Sequence, residues 1–205
     1  MSASVSLVSF LAILNPFALC LYLGNVIEEM DSRVFVGVVV RASVISLLVF
    51  TFFPWSGEGF LVDFLGVHPE ALRAFGGLIF LVVGYGYATK GYYQTELLRG
   101  SPVELPSAIA LPFMIGAGTI TQSILLGKRH GSWSATLILA IGLVLTFIIL
   151  VIFAWLTRSM RRSREIVFQR YVNILARING LIIGAISIDM IVSGTRQLWD
   201  LAETS

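Results

Sequence analysis

Six apolar stretches separated by short clusters of charge dominate the sequence, and they admit very few folds. They cover approximately residues 3–25, 34–54, 71–89, 106–127, 133–157 and 172–195. Each is long enough, as a helix, to cross a hydrocarbon core about 30 Å thick. The composition points the same way. Hydrophobic residues make up 57% of the 205 and charged residues 13%, with a mean hydropathy of +0.88, whereas a soluble domain is about a quarter charged. The expected class is therefore an all-α integral membrane protein of six transmembrane helices. One transmembrane domain would span 1–205, since no loop is long enough for a second.

The charges lie between the apolar stretches: Glu28, Glu29, Asp31 and Arg33, then 58–70, 90–104, 128–130 and 158–170. With six spans, the first, third and fifth loops share one face and carry eight Lys and Arg. The opposite face, with both termini, carries four. Basic loops stay cytoplasmic, so both termini are expected outside the plasma (inner) membrane of a prokaryotic cell. The net charge of +2 is an orientation signal and gives no reason to expect nucleic acid. No basic residue precedes the first apolar run, which is longer than a signal-peptide core, so it is expected as an uncleaved span. Cys20 is the only cysteine, which excludes an intrachain disulfide and a thiolate metal cluster.

Two spans are interrupted. Leu14-Asn15-Pro16-Phe17 falls inside the first, and Leu111-Pro112-Phe113 with Gly116-Ala117-Gly118 inside the fourth. Proline removes a backbone donor and clashes with the preceding turn, while glycine tolerates open geometry. In hydrocarbon an unpaired backbone group costs several kcal/mol. Broken membrane helices are accordingly found where they line a cavity or hold a polar ligand. At about 1.5 Å per residue, Ser4 to Pro16 climbs about 18 Å, which puts the first break near mid-membrane. Gly116 lies about as deep in its own span.

The breaks sit in corresponding places of a weak internal repeat. Pro16-Phe17 and Pro112-Phe113 each fall in the first span of a three-span half, and Arg73-Ala74-Phe75-Gly76 matches Arg177-Ile178-Asn179-Gly180 in the third. Three is odd, so the halves 1–100 and 101–205 would enter from opposite faces, a 3+3 inverted repeat with its site at the repeat interface. Half-helices beginning after Pro16 and after Gly118 would then aim their N-terminal N–H groups at one volume, suited to a carboxylate. The candidate substrate-binding residues are Asn15, Pro16, Phe17, Gly116, Gly118, Thr119 and Thr121.

Arg41 and Asp189 are charges inside spans, which are costly there and are candidates for substrate pairing or proton coupling. Arg41 can also snorkel to the interface. Asp189 can also be a helix-end residue in outer water, paired with Lys128 or Arg129. His68 and His130 are expected in loops. Metalloprotease, serine-hydrolase, paired-aspartate and phosphate-loop motifs are not found in the sequence, so neither an enzyme nor a cofactor is expected.

Asn15-Pro16, the run from Gly66-Val67-His68-Pro69-Glu70 through Gly76-Gly77, Ala110-Leu111-Pro112 with Gly116-Ala117-Gly118-Thr119-Ile120-Thr121, and Arg177-Ile178-Asn179-Gly180 occur in that order. Together they resemble the MarC family of six-span prokaryotic inner-membrane proteins over nearly the whole chain. The resemblance implies transport, since an archaeal relative is described as carrying small neutral amino acids; a link to antibiotic resistance gives weaker support for drug efflux. Two departures stand out: Ala117 replaces the proline of the family's Gly-Pro-Gly, and Phe17-Ala18-Leu19-Cys20 replaces a proline-rich stretch. The family also often has glutamine near position 189.

The expected function is secondary transport of a small zwitterion such as glycine or alanine by alternating access. The expected partners are the lipid bilayer, that substrate and a coupling proton or cation; a homo-oligomer is compatible with the pattern. The alternatives are a channel with a re-entrant filter and a non-transporting scaffold.

Overall fold

The computed structural model describes residues 2–57, 59–64, 66–91, 104–110 and 114–204, with backbone alone at 25, 28, 108, 160–169 and 204. The first apolar run forms three helices in series: α1 (Ala3–Leu14), α2 (Pro16–Tyr22) and α3 (Gly24–Glu29). Next come α4 (Ser32–Ser56), a short π-helical turn at Phe60–Phe64 and α5 (Pro69–Lys90). The second half begins with α6 (Leu105–Ile109) and continues with α7 (Ala117–His130) and α8 (Ser132–Thr204). No strand occurs among the described residues.

Five helical stretches are long and apolar enough to cross a membrane: Ala3–Tyr22, Ser32–Ser56, Pro69–Lys90, Ser132–Ser159 and Arg170–Glu203. The last two both belong to α8, because the charged segment 158–170, expected as a loop, is helical in backbone. It contains neither glycine nor proline, and its Arg, Glu and Met residues favour helix. The expected fourth span is divided between α6 and α7, and Leu111-Pro112-Phe113 lies outside the described residues.

The exterior is apolar. Val8, Val44, Leu48, Val82, Leu137 and Leu181 are each more than half exposed. Water-facing helices of a folded monomer do not carry such continuous apolar cover, and acyl chains are its natural solvent. The main core gathers Phe10, Leu14, Leu19, Ile27, Phe35, Phe50, Ile109, Met114 and Leu139 from both halves.

In lipid, helices are held together by close packing more than by the hydrophobic effect, which favours small residues at contacts. The α5–α8 pair is built in this way and is the most extensive in the molecule. A methyl added at Gly84 would lie 2.8 Å from the Gly184 nitrogen, and one at Gly77 would lie 2.8 Å from the Ser187 carbonyl oxygen. A methyl at Gly180 would lie 2.5 Å from the Ala88 nitrogen. The two backbones therefore touch along an antiparallel seam, from Gly77 at Ser187 to Gly91 at Asn173.

Candidate functional site

The first break is produced locally. The ring of Pro16 bars the preceding residue from the right-handed helical region, and Asn15 takes the left-handed conformation at φ 47°, ψ 72°. Asparagine tolerates that region better than other side chains. Its own N–H closes α1 on the Leu11 carbonyl at 2.8 Å. Its carbonyl accepts from the Leu19 N–H at 3.2 Å, and its side-chain Oδ1 accepts from the Ala18 N–H at 3.0 Å. One residue thus ends α1 and caps α2. This departs from the expected open fan of donors at α2, because proline removes one N–H of the first turn and Asn15 satisfies two.

The second break centres on Gly116, extended at φ −116°, ψ 168°. Here the Thr119 hydroxyl is the organiser. It accepts from the Gly116 N–H at 2.9 Å and donates toward the Met114 carbonyl at 3.0 Å and the Gly116 carbonyl at 2.9 Å. The N–H groups of Ala117 and Gly118 have no acceptor among the described residues.

The two breaks are neighbours. A methyl at Gly118 would lie 3.2 Å from Ile13 Cγ2 and 2.8 Å from the terminal methyl of Met190. Gly76 lets α5 approach the same turn, since a methyl there would lie 2.8 Å from Ala117 Cβ and 3.0 Å from the Gly118 nitrogen. Beside the first break is a cavity of about 30 Å³ lined by residues that include Ile13, Asn15, Tyr22, Phe80, Ile183 and Ile186. That is room for a water or two and not for an amino acid, and the lining comes from the first break, α5 and α8.

Of the other expected residues, Pro16 and Phe17 are half-buried, and Phe17 packs on the Leu21–Tyr87–Ala176 cluster. Thr121 is buried, but its hydroxyl donates to its own helix at the Ala117 carbonyl (2.9 Å), with the Pro69 carbonyl at 3.4 Å. Arg41 is exposed on α4 and makes no ion pair with a described residue. Asp189 is on the outside of α8, its side chain 77% exposed, and its partner is Arg73 at 3.6 Å rather than Lys128 or Arg129. The α5–α8 seam brings Arg73 beside it, a juxtaposition that spacing along α8 could not reveal.

Several polar contacts at the breaks were not expected. Asn15 Nδ2 donates to Asn179 Oδ1 at 3.2 Å, joining the first span to the last. Across the α1–α7 contact, Gln122 Nε2 donates to the Ser9 hydroxyl at 3.2 Å, and Ser6 Oγ bonds His130 Nε2 at 2.8 Å. His130, expected in a loop, is the last residue of α7. The available signal was the three-residue spacing of Ser6 and Ser9, which puts both on one face of α1.

Among known proteins, the chain is 26% identical over 200 residues to a UPF0056 membrane protein of Aquifex aeolicus, covering 93% of this chain and 90% of that one. It is 25% identical over 158 residues to a UPF0056 membrane protein of Pyrococcus horikoshii, covering 76% and 74%. No solved structure matches it. The family model described as MarC family integral membrane protein matches residues 2–199, and with apolar spans and ordered motifs in agreement, the chain belongs to the MarC family of integral membrane proteins.

Proposed function

We propose that the protein is a secondary transporter of small neutral amino acids, with the substrate held between the helix breaks at Asn15–Pro16 and Gly116–Ala117. The observation that carries this reading is their meeting point. Two interrupted helices, from opposite halves of the chain, bring Ile13 against Gly118 beside a void lined by Asn15. Interrupting two membrane helices costs backbone hydrogen bonds, and a polar ligand recovers them. The N–H groups of Ala117 and Gly118, which have no acceptor among the described residues, suit a carboxylate.

In this reading six spans form a 3+3 inverted repeat in one domain, with the α6–α7 pair as the broken fourth span. Element spacing supports it. Helices start at Pro16 and Ser32 and again, about 100 residues later, at Ala117 and Ser132. Both termini face outward from a prokaryotic plasma membrane, following the basic loops.

Reconstitution into proteoliposomes tests the reading. Uptake of labelled glycine or alanine should saturate and show counterflow when the vesicles are preloaded with unlabelled substrate. Steady single-channel current would establish a channel instead, and neither flux nor current would leave a scaffold. Orientation is checked by proteolysis of an N-terminal tag on intact spheroplasts, which should remove it.

A further inference from the structure

We propose that Asn179, on the last span, is the residue that binds the substrate's carboxylate alongside Asn15; the assignment rests on the transport reading above. It follows from a hydrogen-bond count at the first break. Because Asn15 Oδ1 is committed to the Ala18 N–H, the side of Asn15 that faces α8 must be its amide nitrogen. That nitrogen donates to Asn179, so Asn179 must turn its oxygen toward Asn15 and its own nitrogen away. An amide has two donors on nitrogen and no acceptor there. Asn179 Nδ2 is therefore left without an acceptor among the described residues, in a residue 6% exposed.

Buried polar atoms are nearly always paired, and an unpaired one carries the full desolvation penalty. The bond that Asn179 Oδ1 accepts from Asn15 accounts for the oxygen of this amide and leaves its nitrogen unexplained. An unpaired donor next to a helix break is the expected state of a binding group whose ligand is absent.

The neighbourhood defines the ligand chemistry. Asn15 lines the void, and Ile183, one turn beyond Asn179, lines it too. The remaining lining is Ala12, Ile13, Leu14, Ala18, Leu19, Tyr22, Phe80 and Ile186, with no charged side chain among them. Asn179 reaches this void through its bond to Asn15 and does not line it. Amide donors from the first and last spans beside an apolar void suit a carboxylate, held by hydrogen bonds, on a small apolar body. Engagement of Asn179 would thus couple occupancy of the site to the contact between the two halves.

The experiment measures binding to the purified, detergent-solubilised full chain with labelled alanine, competed by propionate (carboxylate without amine) and alaninamide (amine without carboxylate). It compares the wild type with Asn179→Leu and Asn179→Asp, and records thermal unfolding of each without ligand. Alanine and propionate should compete in the wild type and alaninamide should not. Losing charged hydrogen bonds should weaken alanine binding about tenfold or more in both variants. Asn179→Leu removes the unpaired donor and also the acceptor of Asn15 Nδ2, whereas Asn179→Asp keeps that acceptor and lacks only the donor. A residue with a purely structural role would therefore lose stability in Asn179→Leu and keep its alanine affinity in Asn179→Asp.

Unchanged alanine affinity in a folded Asn179→Leu would overturn the assignment and leave the transport reading intact. Competition by alaninamide but not propionate would also overturn it, since the site would then read the amine. If the wild type binds none of the three, the amino-acid reading falls and the assignment with it.

Discussion

Replacing Gly180 by alanine should force the α5–α8 seam apart, and the coordinates set the size of the effect. The added methyl would lie 2.5 Å from the Ala88 nitrogen, 2.9 Å from the Gly84 carbonyl oxygen and 2.9 Å from Tyr87 Cβ, against an ordinary contact of 3.4 Å or more. Two of the three obstacles are backbone atoms, which have no rotamer to change. The helices must separate by about 0.9 Å, the shortfall at Ala88. A gap of that size forfeits a quarter to a half of each contact's attraction, and the loss extends to the Gly77 and Gly84 contacts along the same seam. Overpacking of this kind costs about 1–3 kcal/mol, while removing a helical glycine returns about 0.5–1 kcal/mol. A net destabilisation of about 1 kcal/mol lowers the unfolding midpoint by about 2–4 °C for a chain of this size. Cys20 is 1% exposed, so a thiol-reactive fluorogenic dye reports unfolding in detergent without further engineering. Gly184→Ala, one turn away on the same helix, and Gly86→Ala on α5 are the controls. Neither added methyl would meet anything within 4 Å, and both midpoints should hold or rise. If Gly180→Ala melts within a degree of Gly184→Ala, the close-packed seam is not what holds α5 to α8.

Three further outcomes follow from other contacts. The Arg158 guanidinium donates to the carbonyls of Ile27 (2.9 and 3.2 Å) and Met30 (2.7 Å) and to the Ser32 hydroxyl, so Arg158→Ala should cost about 2 kcal/mol. Amide exchange across 27–33 should quicken, and lysine should restore little because one ammonium cannot span three acceptors. Asp189→Asn breaks an exposed pair worth less than about 1 kcal/mol and should alter neither the melting midpoint nor the pH profile of uptake; loss of proton-driven accumulation with counterflow intact would instead make Asp189 a coupling group. Asn15→Gly keeps the left-handed backbone and loses the side-chain cap and the bond to Asn179, costing about 1–2 kcal/mol, whereas Asn15→Val loses both and adds strain of about 1–3 kcal/mol. Equal midpoints for the two variants would contradict the φ of 47° on which the break is built.

What was legible in the sequence is what acts within a turn of helix. The long uncharged runs could be nothing but buried or lipid-facing helix. Pro16 excluded its predecessor from the helix through the clash of its own ring, so the break at Asn15 needed no partner. An interruption around Gly116 was readable for a similar local reason, although α7 begins at Ala117 and not after Gly118. Whether 158–170 stays helical is a local question too: its charge suggests a loop, but it holds neither glycine nor proline to end the helix. The rest depended on partners far along the chain. Asp189 met Arg73 because the glycine seam sets the register of α5 on α8, and Thr121 turned its hydroxyl to Ala117 instead of the break. Asn179, which the sequence displayed only as part of a repeated Arg-x-x-Gly, lies beside Asn15 across 164 positions. Lipid distinguishes apolar faces from polar ones but scarcely one apolar face from another. Which helices touch, and at what register, was therefore decided by backbone fit at the small residues once the bundle had assembled.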